Sequence, residues 1–379
     1  MNSPLPFERP VYVSRPALPP LTEYVRRLES IWASNILTNM GPMHEMLELG
    51  VGERVGAGRV SLWNNGMSAL LAAVSSLQLQ RRKVVVTPFT FPATVHAISL
   101  LGLEPVFVDI DDDSLTIDPS LIEEALDPEV GAILGTHVYG RFCDTRAIDA
   151  IAREHDLRVV YDGAHIFGRY APVVTDEPHR LGDITMLSFH ATKLFHTVEG
   201  GALITADQET DRQLRLIRNF GIVNEHDVKG LGLNGKMSEV HAAMGLSMLD
   251  MMDAEIDQRV GVASRYVEAL SGIPGLRIVA GGDGTVQYFV LRIDADQFGS
   301  SRDDLHNTLR SLNVISRKYF SPLCSDVEPY NTLPSAQNLP VARKAAEEVL
   351  ALPLYGGLSL EDADRIAEIV SWHQKGGIL

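Results

Sequence analysis

The feature that most narrows the fold is an alternation. Between residues 59 and 205, short apolar runs rich in β-branched residues take turns with segments of helical length. "RVSLW" (59–63) precedes "NNGMSALLAAVSSL", and "KVVVTP" (83–88) precedes "ATVHAISLLG". "PVFVDID" follows; "GAILGTHVY" and "LRVVYD" flank "DTRAIDAIAREH"; "ITMLSF" and "GALIT" add two further runs. Runs without polar alternation suit strands covered on both faces. Such strands separated by helices build βαβ units and a mostly parallel sheet. Ligand sites in these sheets gather at the carboxyl ends of the strands, so the residues that close each run are the first candidates for function.

Beyond about Asp250 the pattern changes to α+β. "SMLDMMDAEIDQRVGVASRYVEALSGI" reads as a long helix with a break, "VQYFVLRI" as a strand, and "SRDDLHNTLRSL" and "LEDADRIAEIVSWH" as amphipathic helices. A chain of 379 residues exceeds the usual size of one core. The expectation is a large α/β domain over residues 1–250, with an N-terminal arm, and a smaller α+β domain over 251–379.

The formal net charge of −16 argues against a nucleic acid or an anionic membrane as partner. An anionic substrate would need a local cationic pocket. The two cysteines, Cys143 and Cys324, form no CxxC pair, which points to a reduced, cytoplasmic setting. The Pro-rich start has no signal-peptide pattern, and no apolar run reaches membrane-spanning length.

The stretch "LSFHATKLFHTVEGGALI" (187–204) sets Lys193 among Phe189, His190, Phe195 and His196. Two readings stand on this stretch alone: a surface lysine with its stem on apolar neighbours, or a poorly solvated amine kept as a nucleophile. Three other polar residues close strands. Asp162 ends "LRVVYD" ahead of Gly163 and His165, as a turn former or a functional carboxylate. Ser188 ends "ITMLS". Asn64, Asn65 and Gly66 open a helix, as a plain cap or as an anion cradle of exposed amides. His190 and His196 are not at ligand spacing and no carboxylate completes a triad, so no catalytic metal is expected.

An anion cradle, a carboxylate, a hydroxyl and a lysine, all at strand ends, match what pyridoxal 5'-phosphate (PLP) requires. The lysine forms an imine with its aldehyde, and the carboxylate keeps its pyridine nitrogen protonated. Phe91, in "PFTFPAT" after a strand, is placed to stack on the ring.

The segments "LTNMGPMHEMLE", "PFTFPATVHAISLLGLEPVFVDID", "YDGAHIFG", "SFHATKLFHTVEGGALIT", "GLNGKMSEVHAAMGL", "SRKYFSPL" and "LPVARKAAEEVLALPLY" carry a resemblance over nearly the whole chain. It resembles the DegT/DnrJ/EryC1/StrS family of nucleotide-sugar aminotransferases, with the PLP-dependent transferase fold type I. The resemblance implies Lys193 as Schiff-base lysine, Asp162 as partner of the pyridine nitrogen and His165 beside the cofactor ring. It implies Ser188 and the amides of Gly66 and Met67 at the phosphate; Met67 stands where the family has Thr, so a hydroxyl contact is lost. It further implies Asn234 reaching the phosphate from a neighbouring subunit, hence a homodimer with shared sites. "GLNGK" departs from the commoner Asn-Tyr-Arg pattern. Arg317 and Tyr319 in "SRKYF" become candidates for the sugar nucleotide, while Lys318 reads as a solvated residue of a basic turn.

The implied reaction is transfer of an amino group from L-glutamate to a nucleotide-linked keto-sugar, at C4 of a dTDP-4-keto-6-deoxyhexose. Amination at C3 is the runner-up. Dehydrating relatives carry histidine in place of the lysine, which Lys193 argues against. A PLP-binding regulatory protein is the third reading.

Overall fold

The computed structural model describes residues 3–57, 59–168, 182–281 and 286–377. Seven strands form the main sheet: β1 (Val60–Trp63), β2 (Lys83–Val86), β3 (Glu104–Phe107), β4 (Val130–Thr136), β5 (Arg158–Asp162), β6 (Ile184–Ser188) and β7 (Gly201–Ile204). Their order is β1-β7-β6-β5-β4-β2-β3. The pairings from β3 across to β6 are parallel, and β7 runs antiparallel to both β6 and β1. The mostly parallel α/β sheet expected from the sequence is present, with each apolar run in its place. All seven residues of β4 are buried, which is why its sequence shows no polar alternation.

Helices cross over between the parallel strands. The chain begins with α1 (Leu21–Ser34) and α2 (Pro42–Val55). The helices α3 (Gly66–Ser76), α4 (Pro92–Leu100) and α5 (Thr145–Glu154) then follow β1, β2 and β4, and α6 (Gln208–Arg218) follows β7. Side chains such as Leu70, Val86, Ile98 and Leu134 are buried in one cluster between sheet and helices. Each such residue contributes about 1.5–3 kcal/mol relative to exposure.

One sequence expectation is corrected. The long segment beyond "GKMSE" is a single helix, α7 (Glu239–Leu270), of 32 residues without a break. Gly261, inside the segment read as broken, continues the helix, and Gly245 nearer the start serves close packing. A Cβ there would stand 2.7 Å from Leu47 Cδ2 and from Thr197 Cγ2. Asp250 lies inside this helix.

The C-terminal unit has an antiparallel sheet of β8 (Leu276–Ala280), β9 (Phe289–Ile293) and β10 (Val349–Leu352), with β9 central. The end of α7, α8 (Arg302–Ser311) and α10 (Leu360–Gln374) pack around it, burying Tyr266, Leu270, Leu291, Leu305 and Val370. A further helix, α9 (Pro340–Glu348), leads into β10. Phe7 and Val11, from the start of the chain, belong to this same core, and Val11–Tyr12 pair in parallel with Val314–Ile315.

Candidate active site

The carboxyl ends of β5 and β6 meet the start of α3 and the loop that follows β6. Asp162 is the last residue of β5 and is buried. One carboxylate oxygen accepts from Thr94 Oγ1 at 2.6 Å and the other from the Ala164 amide at 3.0 Å. Burial pushes its pKa up, against the pull of those two donors and of the Lys193 charge. A carboxylate held this way stays ionised most readily beside a second cation.

Lys193 lies in the turn between β6 and β7, its amide donating to the His190 carbonyl at 2.9 Å. The snorkelling alternative does not describe it, because Nζ turns inward and donates to the Tyr288 hydroxyl at 3.5 Å. Burial lowers the pKa of this amine, and Asp162 partly opposes the shift. Its partner Tyr288 belongs to a cluster of rings with His165, Tyr139, Tyr319 and Phe320. His165 accepts from the Tyr139 amide at Nδ1, 3.1 Å. Burial holds its pKa well below the usual histidine value, so the ring is neutral and its single proton sits on Nε2.

The start of α3 forms a cradle. Asn65 caps the helix, its Oδ1 accepting from the Ser68 amide at 2.8 Å. The amides of Gly66 and Met67, in the first turn, have no acceptor among the described residues. Ser188 Oγ lies 3.6 Å from where a Cβ on Gly66 would stand, so the hydroxyl and the free helix start face the same space. Two free amides, a hydroxyl and the positive end of a helix dipole suit a phosphate. The neighbouring glycines make the approach possible. A Cβ on Gly200 would collide with Thr197 Oγ1, and one on Gly201 would stand 3.1 Å from the backbone of Asn65. The turn read from "EGG" is therefore a close approach of the lysine loop to the cradle. These features fit pyridoxal phosphate: a phosphate cradle, a buried carboxylate for its ring nitrogen and an amine for its aldehyde.

The other residues singled out in the sequence are more peripheral. Phe91 is 59% exposed, at the N-cap of α4. Asn234 is exposed. Its carbonyl accepts from Asn64 Nδ2 of the same chain at 3.0 Å, which fixes its loop against the α3 cap. Arg317 is exposed and forms no ion pair among the described residues, whereas Lys318 pairs with Asp303 at 2.8 Å. Tyr319 accepts at its carbonyl from the Tyr139 hydroxyl, 2.7 Å. Glu239 of "GKMSE" is structural: its carboxylate caps α2 through the amides of Met43 and His44, at 2.8 and 2.9 Å.

Sequence reasoning missed Thr94, Tyr139, Gln287 and Tyr288. The last two lie within "VQYFVLRI", read as strand throughout; the strand begins only at Phe289, and the residues before it reach Leu194 and Lys193. A glutamine ahead of the apolar stretch "YFVL" was the available signal. Among the described residues, Glu123, Glu154 and His155 form the one group with metal-ligand spacing, and all three are exposed.

Comparison with known proteins gives the family and the fold. The profile of the DegT/DnrJ/EryC1/StrS aminotransferase family matches residues 22–371. The dTDP-4-amino-4,6-dideoxy-D-glucose transaminase of Shigella dysenteriae is 41% identical over 369 residues, spanning 96% of this chain and 99% of its own. The transaminase of the same name from Escherichia coli is 39% identical over 373 residues, 96% of this chain and 98% of its own. Among solved structures, DesI in the presence of its TDP-sugar product superimposes with a TM-score of 0.90 at 33% identity, covering 98% of this chain and 95% of that one.

Proposed function

The chain belongs to the DegT/DnrJ/EryC1/StrS aminotransferase family, and from that membership we propose that it moves an amino group from L-glutamate to C4 of a dTDP-linked 4-keto-6-deoxyhexose. The observation that carries the reading is the inward-turned Lys193 beside buried Asp162, with a free helix start and Ser188 opposite. The names of the two bacterial transaminases favour C4 and a dTDP-sugar; amination at C3 is the alternative.

Pyridoxal phosphate, when bound, supplies an aldehyde that takes up the amino group and a ring that accepts the electron pair released at the substrate carbon. Gly66, Met67 and Ser188 hold its phosphate. Asp162 keeps a proton on the ring nitrogen, and the cation there offsets the cost of burying the carboxylate. Neutral His165 presents an Nε2 proton to the ring's oxygen substituent. Phe91 covers one ring face. Lys193 Nζ, with its basicity lowered by burial, would take the proton from the nitrogen-bearing carbon of the substrate and hold it for return on the far side of that nitrogen. Arg317 and Tyr319 meet the sugar nucleotide; Arg317 supplies the local positive charge that a dianionic diphosphate needs on a protein of net charge −16.

Asn234 reaches the phosphate of a second subunit in a homodimer with two composite sites. Subunit exchange between Lys193→Ala and Asn234→Ala proteins tests this part. One site of the mixed dimer then carries neither lesion, and activity exceeds the sum of the parents. With exchange demonstrated and no gain, each subunit builds its own site. The two buried free cysteines suit the reducing cytoplasm.

The test of the reaction has two stages. L-Glutamate alone should bleach the visible cofactor absorbance and yield 2-oxoglutarate; no change with any amino donor would leave a binding protein. The aminated product from dTDP-4-keto-6-deoxyglucose, analysed by mass and NMR, should carry nitrogen at C4. Nitrogen at C3 would select the alternative.

A further inference from the structure

Two adjacent residues of the C-terminal unit grip two adjacent residues of the lysine loop. Gln287 Oε1 accepts from the Leu194 amide at 2.9 Å, and the Tyr288 hydroxyl accepts from Lys193 Nζ at 3.5 Å. The gripping segment is itself held. The Val286 carbonyl accepts from Arg259 Nη1 at 3.4 Å, and that guanidinium, buried in α7, pairs with Glu255 at 2.7 Å. The Tyr288 ring stands edge-on to His165, with centroids 5.0 Å apart and planes at 87°, and lies 5.2 Å from the ring of Tyr319. It is buried, so this contact is not a chance meeting of surface groups.

A lysine side chain has more rotamer freedom to lose than most residues. An amine that must act at two neighbouring carbons gains from losing that freedom beforehand. The phenol is suited to the task because burial raises its pKa. It stays neutral, accepts one N–H, and leaves the rest of the amine free for the site. The other titratable groups that interact with Nζ are Asp162, Tyr319 and His165.

We propose that residues 286–288 are a clamp across the two units that positions the Lys193 amine for proton transfer, with Tyr288 fixing Nζ and Gln287 fixing the backbone beside it. The inference rests on the aminotransferase reading. In the step it serves, the Nζ lone pair would take the proton from the nitrogen-bearing substrate carbon, and the resulting ammonium would give it up on the far side of that nitrogen. The Tyr288 hydroxyl neither gains nor loses a proton.

Tyr288→Phe in the full-length holoenzyme tests the clamp, because the ring and its packing remain. The half-reaction with glutamate, followed by rapid mixing, should slow at least about tenfold. The isotope effect with [2-²H]glutamate should rise, and KM for both substrates should stay within about twofold. A second readout uses apoprotein: acetic anhydride labelling of Lys193 Nζ against pH, read by peptide mass spectrometry. Loss of an acceptor from Nζ destabilises the ammonium, so the labelling midpoint should move to lower pH. A slower reaction despite a larger share of neutral amine distinguishes lost position from a shortage of free base. Gln287→Leu should slow the half-reaction by a smaller factor and leave the labelling midpoint in place.

Should Tyr288→Phe fail to fold or to retain cofactor, Tyr288→Met, of similar bulk without the hydroxyl, takes its place in the same measurements. A variant with wild-type half-reaction rate and an unmoved labelling midpoint overturns the clamp. A wild-type protein that does not react with glutamate overturns the aminotransferase reading instead, so the two failures are distinct.

Discussion

The two sheets bring different chemistry to the Lys193 site. The seven-stranded sheet supplies the ionic and phosphate-binding groups: Asp162 and Ser188 at the ends of β5 and β6, Lys193 in the turn that follows, and the free amides at the start of α3. The segment ahead of the three-stranded sheet's β9 supplies neutral groups, the amide of Gln287 and the phenol of Tyr288, and the chain at Tyr319 and Phe320 adds two rings. A buried charge needs fixed partners, and parallel strand ends with helix starts above them provide these. Neutral side chains need only shape and a hydrogen bond, which a less regular segment can deliver. Loss of a group from the first set should therefore strike the chemistry, and loss from the second its positioning or substrate affinity.

The sharpest way to break this contrast is Lys193→Ala. Turnover should fall on the order of a thousandfold, while pyridoxal phosphate stays bound without a covalent link, as its content after gel filtration will show. Turnover within about tenfold of wild type would remove Lys193 from the chemistry.

Asp162→Asn comes next, with a loss on the order of a hundredfold in the glutamate half-reaction. Its stability signature has the opposite sign. Burial raises the folded-state pKa of this carboxyl in the protein alone. The stability it contributes is then complete below the unfolded-state value and is lost as pH rises through the folded-state one. At pH 7 the ionised group is a cost, which the amide avoids. Apo Asp162→Asn should melt at or above the wild-type apoprotein at pH 7, with the gap closing towards pH 4. A marked drop in melting temperature at pH 7 would recast Asp162 as a structural residue.

A smaller effect is expected at the mouth. Arg317→Ala should raise KM for the nucleotide sugar by roughly fivefold and leave that for glutamate unchanged. An equal rise for both substrates would mean a packing defect. The smallest effect belongs to its neighbour. Lys318 already pairs with the half-exposed Asp303, so Lys318→Ala should change stability by less than about 1 kcal/mol and neither KM.

What could be read from the sequence follows the same division. Strands covered on both faces announce themselves as unbroken apolar runs, and a polar residue that closes such a run is conspicuous, as at Asp162 and Ser188. Lys193 stood out by its apolar neighbours. The direction of β7 was not legible, because a buried strand has the same composition whether its neighbours run parallel or antiparallel to it. Tyr288 was hidden by its company: a tyrosine beside Phe289 and Val290 reads as one more strand residue. Tyr139 was hidden by its backbone, which adopts a left-handed φ of 55° in a residue without the usual preference for it. Thr94 reaches Asp162 only because α4 lies over the end of β5, a juxtaposition no local pattern records. The helices α1 and α2 went unread behind a proline-rich opening.

The unbroken α7 has a mechanical consequence. At 1.5 Å per residue it is a rod about 48 Å long. Its first residue, Glu239, caps α2, its middle carries the Arg259 that holds Val286, and its end is built into the three-stranded sheet's core. One stiff member thus runs under both sides of the lysine. The turn that carries Lys193 and the segment that carries Tyr288 are both referred to one helix, which gives them a common frame.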